Sequence, residues 1–356
     1  MKDLEKLVKL LERKVDPVPA DFAGITKQFG MLQGAELGRL VRNLPHTQFL
    51  VDGLIPSASV NIMVGDSGIG KSPLAVQMAL AVASGKPFLG QGVRQGKVLL
   101  MDYENSLRDS HRIQEQQRKH LGLTAYPAER FIYWPVYSDP PQSGLEPIIH
   151  RLAPDLVIID SLRSFCPTME TDNASAVKQL RKLRQIAVAC GTAVLLVHHV
   201  RKSQNRKLVP LEDGSVIEWL TRSAGARALI NQTDVRLAIA QPSRPSDADL
   251  ILRAHYRTHG ELGPFFISRC YDASENVLGY ERMANAPVML DNPEQEEAFA
   301  KLPESFAFGM ARETYGKQGE ATTKFLHKAI RLGLLRKTGY GQYRKSRGIS
   351  TEPIAA

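Results

Sequence analysis

Between Ser59 and about Met283 the chain carries short, unbroken apolar runs: SVNIMV, KVLLMD, DLVIID, TAVLLVHH, DVRLAIA and DLILRAH. Helical stretches separate most of them. Continuous apolar, β-rich runs of this kind, rather than strict alternation, predict strands buried on both faces. Strand and helix in turn predict an α/β domain with a mostly parallel sheet. Ahead of it, Leu4, Leu7, Val8 and Leu11 recur at helical spacing, so an amphipathic helix is expected there. Residues 15–58 show several prolines and no clear period, and read as a linker and approach segment. The expected division is 1–45 for the N-terminal helix and linker, 46–285 for the α/β domain, and 292–347 for a small C-terminal unit.

That last unit reads as helix, turn, helix and hairpin. Phe325, Leu326, Ala329 and Ile330 form an inner stripe, Gly333 is the expected C-cap, and LLRKTGYGQYRK reads as two short strands about a glycine turn. From Lys317 to Arg347 there are nine Lys/Arg against one acid, Glu320. The unit resembles winged helix–turn–helix domains. Lys324, Lys328, Arg331, Lys337 and Arg344 are therefore expected to meet duplex phosphates. A protein-docking module is the other reading.

Composition changes the picture little. The 356 residues carry a net charge of +9, which hints at nucleic acid without requiring it. No run of eighteen apolar residues exists, so no membrane partner is expected. The start MKDLEKLVKLLERKV lacks the apolar core of a secretory signal. Cys166, Cys190 and Cys270 are odd in number and lack metal-ligand spacing, which predicts reduced thiols in a cytoplasmic protein.

Candidate chemistry begins at GDSGIGKSP. Gly65, Gly70, Lys71 and Ser72 fit G-x-x-x-x-G-K-[ST], with Asp66, Ser67, Gly68 and Ile69 between them and Pro73 behind. SVNIMV supplies the strand before and LAVQMALAVASG the helix after. Backbone N–H groups of such a loop wrap phosphate oxygens at a helix N-terminus. Lys71 is expected to reach the β/γ-phosphates of ATP and Ser72 to ligate Mg2+. Pro73 sits in the first turn, where a missing N–H is tolerated. Glu104 follows the next strand, where it could orient the attacking water or simply sit near a helix N-terminus. Asp160 ends DLVIID, four apolar residues and an acid, and is a second Mg2+ ligand candidate. His198 and His199 end the next strand. There they could contact the γ-phosphate, although a buried histidine is more often a structural hydrogen-bonder.

The order P-loop, strand–Glu104, strand–Asp160, strand–His199 resembles the RecA-like ATPases. In AAA+ proteins the catalytic acid adjoins the Walker B aspartate instead, and residue 161 is Ser. The segment IDSLRSFCPTMETDNASAVKQLRKLRQIAVACGTAVLLVHHVRKS resembles RepA-type hexameric replicative DNA helicases. They share an Asp-Ser/Thr-Leu-Arg segment, an Asn-Ala-Ser, and paired histidines before a basic residue. The resemblance covers roughly residues 45 to 270. It implies a homohexamer with ATP between subunits, Glu104 as base, Asp160 on Mg2+ and His199 as γ-phosphate sensor. DLILRAHYRTHGELGP resembles the Lys-x-Arg-x-x-Gly strand end of DnaB-like helicases, with His255 in the lysine place. It implies Arg257 as the finger from the neighbouring subunit. Arg222 and Arg227 compete, and a solvated edge arginine is the plain alternative. The basic loop after His199, with Arg201, Lys202, Arg206 and Lys207, is expected to line a channel for single-stranded DNA.

The function expected from the sequence is a ring-forming DNA helicase of a plasmid, phage or other mobile element, using ATP and Mg2+. Two alternatives stand beside it: a RecA/RadA-like recombination or loader ATPase without unwinding, and an ATP-switched DNA-binding regulator.

Overall fold

The computed structural model describes residues 31, 34–43, 48–137, 145–200, 210–212, 214–223, 227–243, 248–258, 260–283, 290, 293–332 and 334–345. The helix expected around Leu4–Leu11 lies outside these. The segment read as linker is not without structure. It holds helix α1 (Gly34–Asn43) and a small ribbon of β1 (Phe49–Val51) and β2 (Ile55–Pro56). Leu37, Leu40 and Val41 give α1 a one-sided apolar spacing that is too short to stand out as a period in sequence.

The main body is built in the order β3 (Val60–Gly65), α2 (Lys71–Ser84), β4 (Val98–Asp102), α3 (Leu107–His120), β5 (Phe131–Pro135), α4 (Leu145–Leu152), β6 (Leu156–Asp160) and α5 (Leu162–Phe165). It continues with α6 (Asn173–Cys190), β7 (Ala193–His199), α7 (Val216–Ser223), α8 (Arg227–Gln232) and β8 (Val235–Ala240). Strands β9 (Leu250–Tyr256), β10 (Gly260–Tyr271) and β11 (Val277–Arg282) complete it. The nine strands form one sheet in the order β11-β10-β9-β8-β3-β7-β6-β4-β5. The stretch from β8 to β5 is parallel, and β9, β10 and β11 run antiparallel on one flank. The mostly parallel sheet read from the apolar runs is thus present.

Alternation along these strands feeds two cores. Met63, Leu100, Ile158 and Leu195 pack with α2 on one face. Ile62, Leu99, Val157 and Leu196 pack with α4, α6, α7 and α8 on the other. Helix α2 is buried along nearly its whole length, including Leu74, Met78 and Leu80. Each such fully buried side chain contributes roughly 1.5–3 kcal/mol. That burial anchors the P-loop, which leads directly into the helix.

The C-terminal unit comprises α9 (Pro293–Lys301), β12 (Ser305–Ala307), α10 (Phe308–Tyr315), α11 (Gly319–Arg331), β13 (Leu335–Gly339) and β14 (Gln342–Lys345). Its strands pair antiparallel in the order β12-β14-β13. Phe299, Phe306, Phe325, Leu326 and Leu335 close its core, which is continuous with the core on the α6 side of the main sheet.

Two readings of its basic residues are corrected. Lys328 is 3% exposed and cannot meet phosphate, because residues 325, 328, 329 and 332 recur at the spacing of the buried stripe. The surplus of nine cations is also smaller at the surface than in sequence. Lys345 is buried over the Phe299 ring, Lys317 pairs with Glu294, and Arg344 pairs with Glu304. Lys324 is exposed and pairs with Glu320, while Arg336 and Lys337 on β13 are exposed. Arg331 belongs to α11, and its side chain lies outside the described set.

Candidate active site

Parallel pairing brings four sequence-predicted positions to one sheet edge. In register, Gly65 faces His199, Asp102 faces Asp160, and Asp160 faces Val197. Everything that follows these strands therefore converges at the C-terminal edge, where α/β sheets place their ligands.

The cradle is held from two sides. Gly70 adopts φ +110, and a Cβ there would lie 2.3 Å from the Tyr280 hydroxyl, so β11 closes on the loop as only glycine permits. Gln77 of α2 exchanges hydrogen bonds with the Tyr280 backbone: its amide donates to the Tyr280 carbonyl at 2.8 Å and accepts from the Tyr280 N–H at 2.9 Å. Arg269 of β10 donates to the Ile69 carbonyl at 3.1 Å and stands 3.9 Å from Asp249. Neither Arg269 nor Tyr280 is recognisable in sequence, because both act on the loop across some two hundred residues. Asp66, Ser67 and Gly68 are exposed, Ile69 is buried, and Ser72 and Pro73 are half-buried in the first turn of α2.

Lys71 is 3% exposed and donates to the Gly65 and Asp66 carbonyls at 2.8 and 2.6 Å. Burial lowers its pKa to about 8 against the opposing pull of Asp160, Asp66 and Glu104. Asp160 is also 3% exposed. Burial raises its pKa to about 6, although a hydrogen bond from Ser72 works the other way. Its Oδ1 has no hydrogen-bond partner among the described residues.

The contacts of Glu104 lie away from the start of helix α3. Helix α3 is capped by Ser106, which accepts from the Asp109 N–H, and the Glu104 carboxylate does not contact the helix start. Instead Oε1 accepts from the Ser161 hydroxyl, with Ser164 at 3.5 Å, and Oε2 stands 3.3 Å from His199 Nε2. The bonds from His199 and Ser161 outweigh burial and hold its pKa down at about 2. Asp102 fixes the turn that presents it, accepting from the N–H groups of Glu104 and Asn105 at 3.0 Å each. Ser110 and the Asn105 amide bind the same carboxylate. Ser161 and Asp102 were missed as contributors. Their signal in sequence is slight: a hydroxyl after one strand-ending acid, and an acid ending the neighbouring strand.

His198 is fully buried, with Nδ1 3.3 Å from Glu170. Arg257 is exposed and lies at the opposite edge of the sheet. Tyr256 pairs with Val235 at the start of β8, and the Arg257 N–H donates to the Asp234 carbonyl at 2.9 Å. Strand β9 has seven residues, so about 20 Å of sheet separates Arg257 from its own cradle. Arg227 is exposed at the start of α8, and the Arg222 side chain is outside the described set. Arg201, Lys202, Arg206 and Lys207 also lie outside the described residues. No described helix is long and apolar enough to cross a membrane.

A family profile described as an AAA domain, AAA_25, matches residues 27–205, half of the chain. The chain is also similar to the DNA repair protein RadA of Listeria monocytogenes, at 26% identity over 168 residues, 46% of this chain and 33% of that protein. With the DNA repair protein RadA of Halalkalibacterium halodurans it shares 28% over 154 residues, 42% of this chain and 29% of that protein. The chain thus spans about a third of the length of the curated relatives it matches. The matched half contains the P-loop, β4, β6 and β7, and its candidate acid comes from β4, in the RecA-like manner. This chain belongs to the AAA domain family AAA_25 and has a RecA-like P-loop ATPase core.

Proposed function

We propose that the protein hydrolyses ATP with Mg2+ and uses it to drive a ring-forming DNA helicase of a mobile element. The observation that carries the hydrolytic part is the Glu104–Ser161–His199 cluster beside Lys71, Ser72 and Asp160. The unpartnered, buried Oδ1 of Asp160 and the adjacent Ser72 hydroxyl suit a hard divalent cation, which would restore the charged form that burial disfavours. When bound, Mg2+ supplies charge neutralisation at the β- and γ-phosphates.

The chain's own residues do the rest. Lys71 transfers its hydrogen bonds from the Gly65 and Asp66 carbonyls to phosphate oxygens, which also favours its charged form. Glu104 is the base that orients and deprotonates water. A carboxylate with pKa near 2 is a weak base, so it works only after shedding a donor. His199 is that donor. Drawn toward a γ-phosphate, it frees Oε2, and after hydrolysis it returns, so β7 reports the nucleotide state to the loop that follows it.

The DNA part rests on the RepA-type resemblance and on the basic loop after His199. The 292–347 unit is read as a winged helix on its β-α-α-β-β order, with Lys324, Arg336 and Lys337 toward duplex. The similarity to two DNA repair proteins named RadA favours a second reading, a recombination or loader ATPase that binds DNA without unwinding it.

Strand displacement separates the two. A forked duplex with one labelled strand is incubated with ATP and Mg2+, with Lys71→Ala as control. Displacement by the native protein alone supports the helicase. ATP turnover stimulated by single-stranded DNA without displacement overturns it in favour of the second reading.

A further inference from the structure

We propose that His120, Cys270 and Glu281 form a Zn2+ site that clamps the C-terminal end of α3 to the β10–β11 hairpin. One ligand atom from each residue lies within 4.8 Å of the others, and no second cluster of this kind occurs among the described residues. Sequence spacing could not show it, since the three residues come from three elements brought together only by the fold.

The ladder explains the placement. Cys270 pairs with Gly279 across β10 and β11, and Glu281 lies two residues on, so all three share a face. A Cβ at Gly279 would fall 2.2 Å from His120 Cγ. The missing side chain therefore admits the imidazole between the thiol and the carboxylate. His120 and Cys270 are half-buried, and Glu281 is exposed.

The donor set selects the ion. Thiolate, imidazole and carboxylate together suit Zn2+, whereas Mg2+ and Ca2+ prefer oxygen alone. Tetrahedral Zn2+ with bonds of about 2.0–2.3 Å sets donor atoms roughly 3.3–3.8 Å apart, so closure of about 1 Å completes the site. A water fills the fourth position from the exposed Glu281 side. Binding converts the Cys270 thiol to thiolate and releases one proton to solvent, so affinity rises with pH. Without the ion, burial and the neighbouring Glu281 hold the thiol pKa up. The clamp matters to the main site by position. Helix α3 begins just after Glu104, and the hairpin carries Arg269 and Tyr280 onto the P-loop.

The test uses the full chain, reduced and stripped with chelator. Co2+ alone should give a thiolate charge-transfer band and visible d–d bands at one equivalent. Zn2+ alone, titrated against a chromophoric chelator, should bind at one equivalent. Loss of a supporting partner typically weakens metal affinity about 10–100-fold, so loss of the ligand in Cys270→Ser should weaken it at least about 100-fold. Glu281→Gln, at the surface, should weaken it with an unchanged metal-free melting curve. In the native protein Zn2+ should protect Cys270 from alkylation, mapped by mass spectrometry, while Cys166 and Cys190 react as before. A missing charge-transfer band, equal Zn2+ affinity in Cys270→Ser, or undiminished Cys270 alkylation overturns the site.

Discussion

Asp160 and Glu104 are adjacent carboxyls with opposite electrostatics. Asp160 is buried with one oxygen unpartnered, and its pKa rises to about 6; Glu104 accepts from two donors, and its pKa falls to about 2. A carboxyl raised in the folded state contributes stability below its unfolded pKa and loses it as pH climbs through the folded value. In nucleotide-free protein, Asp160 therefore destabilises the fold above about pH 6, by up to about 3 kcal/mol for a shift of about two units. Asp160→Asn should melt higher than the native protein at about pH 7, and the gap should close at about pH 4. Equal melting at the higher pH would refute this. Glu104→Gln should bind ATP normally yet turn over at least about 100-fold more slowly, the usual share of a general base. A binding defect with unchanged turnover per bound nucleotide would return Glu104 to a structural role. Lys71, Asp160, Glu104 and His199 were open to sequence reading because Lys71 sits in a fixed-spacing loop, Asp160 and His199 end apolar strands, and Glu104 lies two residues past one. Ser161 and Asp102 were not, since a hydroxyl bonding to a carboxylate that follows another strand, and an acid that fixes the turn after its own strand, leave no periodic trace.

At the scale of elements, β3, β4, β6, β7 and β8 were readable because they are buried on both faces and hence almost continuously apolar, whereas β5 is half-buried along its length and was not read. The β10–β11 hairpin was not either, as most of its residues are half-buried or exposed and its role is to brace a loop far away in sequence. That brace is testable. Arg269→Ala removes a charged donor from the Ile69 carbonyl, and such bonds contribute about 1.5–3 kcal/mol. ATP-analogue affinity, read by calorimetry, should fall at least about 10-fold; an unchanged Kd would show that the loop holds itself. In the C-terminal unit, charge counting misled where helical periodicity would have corrected it, since Lys328 occupies a stripe position. The exposed cations of β13 are the better candidates for DNA. Arg336→Glu with Lys337→Glu should flatten the slope of log K against log salt for a duplex by about 0.9 per lost phosphate contact. These surface changes also spare the continuous core that deletion of the unit would lay open. An unchanged slope would assign the unit to protein docking.

For the whole molecule, the decisive feature is the seven-residue width of β9. Arg257 cannot reach its own P-loop, so any part it plays in hydrolysis belongs to a neighbour's site. Mixing Arg257→Ala with Lys71→Ala subunits should recover some turnover, because one interface in the mixture keeps both groups. If both variants assemble and mixing restores nothing, Arg257 is excluded and Arg222 or Arg227 becomes the finger to test. The same width has a consequence for symmetry. A donor edge and an acceptor edge on opposite ends of one sheet suit a heterologous, head-to-tail contact, in which each subunit's Arg257 end meets the next subunit's P-loop. Repeating such a contact gives a closed ring if the rotation per subunit divides the circle with no rise, and an open helix otherwise. A helicase and a recombinase could then share every catalytic residue described here and differ only in a few degrees of rotation and a few ångströms of rise at one interface.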